Sequence, residues 1–150
     1  MWDRRFLERR ACTLELSEVP AKARPRFDRR SGRVYTDSKT KEFEDAIGGA
    51  WLRQCGADRC DFTGEVEVDV EVWRPLAKSN PKKRVGSADL MKPDPDNIAK
   101  VVCDALNGVA FRDDSQVTYL SVNYNPRTEY GNPVKVQVTV SYYEETWRKG

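Results

Sequence analysis

The chain of 150 residues contains no histidine. That absence removes serine–histidine and cysteine–histidine hydrolysis and leaves Asp, Glu, Lys or water as any general base. Cysteine is scarce, and of Cys12, Cys55, Cys60 and Cys103 only Cys55 and Cys60 are close. Their five-residue offset matches no common zinc pair. No apolar run is long enough for a signal peptide or a membrane span. These absences lead to the expectation of a reduced cytosolic protein with free thiols and no membrane partner. What is present suits a folded chain: 39% of residues are apolar and 33% charged, which argues against wholesale disorder. Without internal repeat or low-complexity segment, residues 1–150 read as one domain with one core. Residues 1–11 read as a basic N-terminal arm and residues 145–150 as a short tail.

A formal charge of +2 says little about partners, but its distribution says more. Arg4, Arg5, Arg9 and Arg10 crowd the start; Lys22, Arg24, Arg26, Arg29, Arg30 and Arg33 follow; Lys82, Lys83 and Arg84 form a third cluster. Acidic residues collect elsewhere. A basic surface around an acidic site holds a polyanion near a metal, and solvated surface charge accounts for scattered Arg and Lys equally well.

Periodicity supplies the elements. MWDRRFLERR fits a short helix or a frayed arm. CTLELSEVP alternates and reads as a first strand stopped before Pro20. Phe43, Ile47, Ala50 and Trp51 recur at helical spacing, with Thr40 as a cap and Gly56 as the stop. EVEVDVEVW is the clearest strand, its valines facing one way and its acids the other. Ile98, Val101, Val102, Ala105 and Leu106 form the stripe of a second helix that begins near Asp96 or Asn97 and ends at Gly108. DDSQVTYLSVNY and PVKVQVTVSYY are two further strands, read as a hairpin because their linker is short. The fold class is α/β, a small mixed sheet of about four strands packed with helices, with the valine strand central.

The densest chemistry lies in KPDPDNIAKVVCDALNGVAFRDDSQ. Like charges repel, and a bound cation is the usual offset. Pro93 and Pro95 favour an extended Asp94. In extended chain, residues two apart face the same way, so Asp94 and Asp96 converge on one cation. Lys100 lies four residues after Asp96, and Asp104 four further on, on one side of a helix. Of the adjacent Asp113 and Asp114, one at most joins them. Three carboxylates and a lysine suit Mg²⁺, with Mn²⁺ as a substitute, and a metal-bound phosphate as guest. Each aspartate taken singly is equally an ordinary turn or cap, and Lys100 an ordinary surface partner of Asp96.

The run Asp94-Pro95-Asp96-Asn97, then Lys100, Asp104-Ala105-Leu106 and Asp113-Asp114-Ser115-Gln116, closely resembles the RusA family of Holliday-junction resolvases. PAKARPRF and GRVYTDSKTKEFE resemble its N-terminal part, so the likeness runs over about residues 14–140. The resemblance implies a magnesium-dependent endodeoxyribonuclease, acting as a homodimer on four-way DNA junctions with paired symmetrical nicks, and encoded by a phage or prophage. It places the metal-binding aspartates at Asp94, Asp96 and Asp114 and the catalytic lysine at Lys100, with Asn97, Asp104 and Asp113 in support. The basic clusters at Lys22–Arg33 and Lys82–Arg84 would contact DNA. Two alternatives stand beside it: a non-catalytic DNA-binding protein, and a metal-dependent nuclease for other branched DNA.

Overall fold

Four valines set at every second position, with acids between them, make a strand with one dry and one wet face. That strand is β4 (Val66–Trp73), and Val66, Val68, Val70 and Val72 are all fully buried. The computed structural model describes residues 1–18, 38–91 and 93–150, together with the backbone of two short strands at 26–27 and 34–35. Among these residues the order is β1 (Trp2–Leu16), β2 (Arg26–Phe27), β3 (Val34–Tyr35), α1 (Ser38–Cys55), β4, α2 (Pro95–Leu106), β5 (Val117–Tyr124) and β6 (Val134–Trp147). A mixed four-stranded sheet runs β1-β6-β4-β5; β2 and β3 form a separate antiparallel pair. The chain is thus the expected small α/β fold, with β4 in the sheet interior, parallel to β5 and antiparallel to β6.

Both helices cover the valine face. Phe43, Ile47 and Trp51 of α1 join Ile98, Val101, Val102 and Leu106 of α2 in one core with the valines of β4 and β6. Each such side chain removed from water contributes about 1.5–3 kcal/mol. A Cβ at Gly48 would sit 3.5 Å from the Ala105 carbonyl oxygen, an ordinary van der Waals contact, so α1 and α2 pack against each other here with room for an alanine. Gly56 and Gly108 follow α1 and α2 at φ of 83° and 70°, the left-handed conformation that ends helices.

The opposite face explains the acids of β4. Arg4 reaches Glu65 at 2.6 Å and Glu67 at 3.5 Å. Tyr143 donates to Glu67 and Ser121 to Asp69, both at 2.6 Å. Asn123 and Asn125 donate to Glu71 at 2.9 and 2.7 Å. These carboxylates are held by cross-strand partners and belong to the sheet.

Four expectations are corrected. The opening residues are neither short helix nor frayed arm: residues 2–11 are strand, paired from Trp2↔Trp147 through Ala11↔Thr139. Residues 145–147 belong likewise to β6 and not to a tail. Finally, β5 and β6 are not a hairpin, because β6 lies between β1 and β4 while β5 takes the far edge. Burial decides this arrangement. β6 buries Val134, Val136, Val138 and Val140 and earns an interior place, whereas Thr118, Tyr119, Leu120 and Asn123 of β5 are exposed. Thr40, expected as a cap, is buried inside α1, which begins earlier at Ser38.

Candidate active site

Asp94 is the N-cap of α2, with extended φ −68° and ψ 153°, and Pro95 opens the helix. Proline suits that first position, where no amide donor is needed. Helix therefore begins between the two aspartates. Asp96 lies in the first turn, so its direction is set by helix geometry and not by the extended spacing expected for it. Both carboxylates lie within electrostatic range of the Tyr124 hydroxyl, where each adds negative potential. Burial is the largest cause raising the Tyr124 pKa; Arg74 opposes it, and Asp89, Asp94 and Asp96 reinforce it.

Helical spacing then lays Asp96, Ala99, Lys100, Cys103 and Asp104 along one outward strip of α2. This strip forms one wall of an open cleft of about 550 Å³. The other wall is Asp114 with Val117, Thr118, Tyr119 and Leu120. The cleft brings together Asp96, Lys100, Asp104 and Asp114, all exposed, while Asp94 lies at its helix-cap end and outside its lining. Burial together with the nearby Asp114 charge pushes the Cys103 thiol up to about 11, which sets Asp114 beside the C-terminal half of the helix.

The turn carrying Asp114 is built by its neighbours. Residues 114–116 form a 3-10 turn, where strand was expected to begin, and Asp113 caps it. The Asp113 carboxylate accepts from the Ser115 amide at 3.1 Å, and Gln116 Oε1 accepts from the Asp113 amide at 2.8 Å. Hydrogen bonding to Ser115 holds the Asp113 carboxyl below the usual carboxylate range. Gln116 Nε2 donates to the carbonyls of Phe62 and Gly64 at 2.7 and 2.8 Å, tying the turn to the approach of β4. Asp113 and Gln116 therefore shape the turn, and Asp114 faces the cleft. Asn97 is half-buried in the first turn of α2, its amide donating to the Asp94 carbonyl at 3.0 Å.

Hard carboxylate oxygens around one ammonium are the donor set of a hard divalent cation. Three carboxylates against Lys100 leave the cleft with a formal charge of −2 (three minus one), which a phosphate would meet unfavourably without a cation. The donor chemistry therefore fits. The carboxylates are nevertheless spread out: among the described residues, no three His, Cys, Asp or Glu are gathered to hold a metal. At a rise of about 1.5 Å per residue, Asp96 and Cys103 lie about 10 Å apart along the axis. Of the basic clusters, Lys82, Lys83 and Arg84 form an exposed 3-10 turn. Gly86 and Ser87 tie it to Arg127 through backbone bonds of 2.8 and 2.9 Å. Lys22, Arg24, Arg29, Arg30 and Arg33 lie outside the described residues, as does the side chain of Arg26.

Sequence reasoning missed the group behind Asp94. Arg74 and Asp89 are a buried pair, and Arg74 stacks on Tyr124. Only the placement of a lone arginine after a valine strand hinted at it.

Residues 18–141 match the family model described as endodeoxyribonuclease RusA. The chain is also similar to an uncharacterized protein of Bacillus subtilis (strain 168), YqaN. The two are 38% identical over 71% of this chain and 80% of that protein. No helix of the described residues is long and apolar enough to cross a membrane.

Proposed function

The chain belongs to the RusA family of endodeoxyribonucleases, which act on branched DNA junctions, and from that premise we propose a magnesium-dependent resolvase that cuts four-way junctions by paired, symmetrical nicks. The observation that carries this reading is the shared cleft of Asp96, Lys100 and Asp114. Asp94, Asp96 and Asp114 would hold the ion, with Mn²⁺ able to replace Mg²⁺. When bound, the ion supplies charge stabilisation at the scissile phosphate and orients the attacking water. Lys100 places its ammonium on the same wall as Asp96, where it offsets negative charge gathering on phosphate oxygens. Asp104 adds acid beyond Lys100, and Asp113 sets the direction of Asp114. The ligands to such an ion would come from a helix cap, the first turn of that helix and a separate turn.

Lys82, Lys83 and Arg84 would contact phosphates, as would Lys22, Arg24, Arg26, Arg29, Arg30 and Arg33. One chain carries one DPDN motif and, among the described residues, one such cleft, whereas two opposed strands of a four-way junction need two. A two-fold homodimer supplies them and matches the substrate's symmetry. The setting is the cytoplasm of a bacterial host, with the gene of phage or prophage origin and a role in DNA recombination and repair. The test is incubation with a synthetic mobile four-way junction and a linear duplex, with and without Mg²⁺. Junction-specific cleavage that requires the metal is expected; cleavage of neither substrate, with junction binding retained, would leave a DNA-binding protein. A supercoiled cruciform plasmid then separates the mechanisms, since paired nicks give linear product within one binding event and single nicks give open circles.

A further inference from the structure

Arg74 follows β4 directly, and its side chain is 5% exposed while that of Asp89 is fully buried. Nε and Nη2 of Arg74 donate to the two Asp89 oxygens at 2.6 and 2.9 Å, and Nη2 also donates to the Met91 carbonyl at 2.8 Å. The Met91 amide in turn donates to Asp89 at 3.2 Å. The guanidinium lies 4.3 Å from the ring centre of Tyr124, the last residue of β5. The Tyr124 hydroxyl donates to the carbonyl of Pro93. The ends of two neighbouring parallel strands thus grip the segment that leads to Asp94.

Burying an ion pair gains little net stability, because desolvation opposes the attraction. Its geometry is what the pair fixes. A bidentate guanidinium–carboxylate contact defines direction as well as distance. Only a short path separates this grip from the cleft. Pro93 and Pro95 have fixed φ, and Asp94 is restricted by the proline after it. The Pro93 carbonyl is held, so few free rotations remain before α2 begins.

We propose that Arg74, Asp89 and Tyr124 are positioning residues that set Asp94 and the first turn of α2 for metal binding. This rests on the nuclease reading of the cleft. Tyr124→Phe removes the hydroxyl bond to Pro93 and keeps the ring beneath Arg74. The double variant Arg74→Met/Asp89→Leu replaces the ion pair with apolar groups of similar size, avoiding an unpaired buried charge. Amide hydrogen exchange at Asn97, whose amide bonds the Asp94 carbonyl, reports the geometry without metal. Mn²⁺ titration by calorimetry and junction cleavage report its use.

In both variants, exchange at Asn97 is expected to quicken about ten-fold while amides of β4 keep their protection. Mn²⁺ affinity and kcat are each expected to fall about ten-fold, with junction KM unchanged. Unchanged exchange at Asn97 in folded variants overturns the proposal. So does faster exchange with wild-type Mn²⁺ affinity and kcat. A wild-type protein that neither binds Mn²⁺ nor cleaves defeats the nuclease reading instead, and the exchange comparison still decides whether the group holds the segment.

Discussion

Arg10 faces Asp58 with both ends of its guanidinium, Nη1 and Nη2 lying 2.6 and 2.8 Å from the two carboxylate oxygens. The same arginine donates to the Cys55 carbonyl at 3.0 Å, so it ties β1 to the end of α1. Hydrogen bonding to Arg10 lowers the Asp58 pKa from 3.8 to about 2. A carboxylate depressed in the folded state adds stability above its unfolded pKa and loses it as pH falls through the folded one. Stability should therefore drop between about pH 4 and pH 2. Asp58 is mostly solvent-exposed, so the contribution is small. Thermal midpoints of wild type and Asp58→Asn across that range are the measurement. The wild-type midpoint should fall more steeply; parallel curves would show the pair adding nothing.

Asp96→Asn should leave the fold intact, because the side chain is exposed on the first turn of α2. Junction cleavage should fall steeply, because Asp96 is proposed as a ligand of the ion that stabilises charge on the phosphate. Junction affinity without metal should hold or rise, since a negative charge near phosphate is lost. Gel-shift and single-turnover assays read the two quantities separately. Cleavage at the wild-type rate would remove Asp96 from the site.

Lys100→Ala should depress kcat and leave junction affinity largely unchanged. Lys100→Arg should not restore the rate, since a planar guanidinium differs from a compact ammonium in geometry and hydration. A loss confined to affinity would make Lys100 a binding residue.

Lys83→Ala tests the exposed basic turn. Each phosphate contact adds about 0.9 to the slope of log K against log salt on B-form DNA, so the variant's slope should be shallower by about one. An identical slope removes Lys83 from the contact surface.

Gly64→Ala should be costly. Its Cβ would stand 2.7 Å from the Tyr143 carbonyl oxygen and 2.8 Å from the Phe62 ring. Gln116 also holds the Gly64 carbonyl, so relief by backbone movement would disturb the Asp114 turn. Overpacking of this kind costs about 1–3 kcal/mol. Urea unfolding measures it, and a midpoint equal to wild type would refute the steric reading.

Patterns with a local cause were legible in the sequence. The Val66–Val72 alternation, the α2 stripe and the stop at Gly108 each depend on residues a few positions apart. CTLEL was legible as the second half of β1, but the first half was hidden because Asp3, Arg4, Arg5, Glu8, Arg9 and Arg10 carry charge where strands favour apolar or β-branched residues. Their partners lie near the other end of the chain, as in Arg4↔Glu145. The hairpin expectation used loop length alone and gave no weight to the greater apolar character of β6. At the site, the motif selected Asp96, Lys100 and Asp114 because short-range spacing defines it. Arg74 and Asp89 escaped because they are 15 residues apart, follow no period and look like surface charges. Only the fold joins them.

The pairing of β1 with β6 constrains the order of assembly. β6 is the sheet partner of β1, and the ladder begins at Trp2↔Trp147. During synthesis, β1 emerges long before β6 and has no sheet mate until β6 has followed it. The helix α2 and the parallel pair β4–β5 can form earlier, since their contacts lie closer in sequence. Such long-range pairing slows folding and leaves an unpaired edge exposed in the nascent chain. The charges that disguised β1 as an arm have a use during that wait: lysine- and arginine-type side chains on an open edge discourage pairing with the wrong chain.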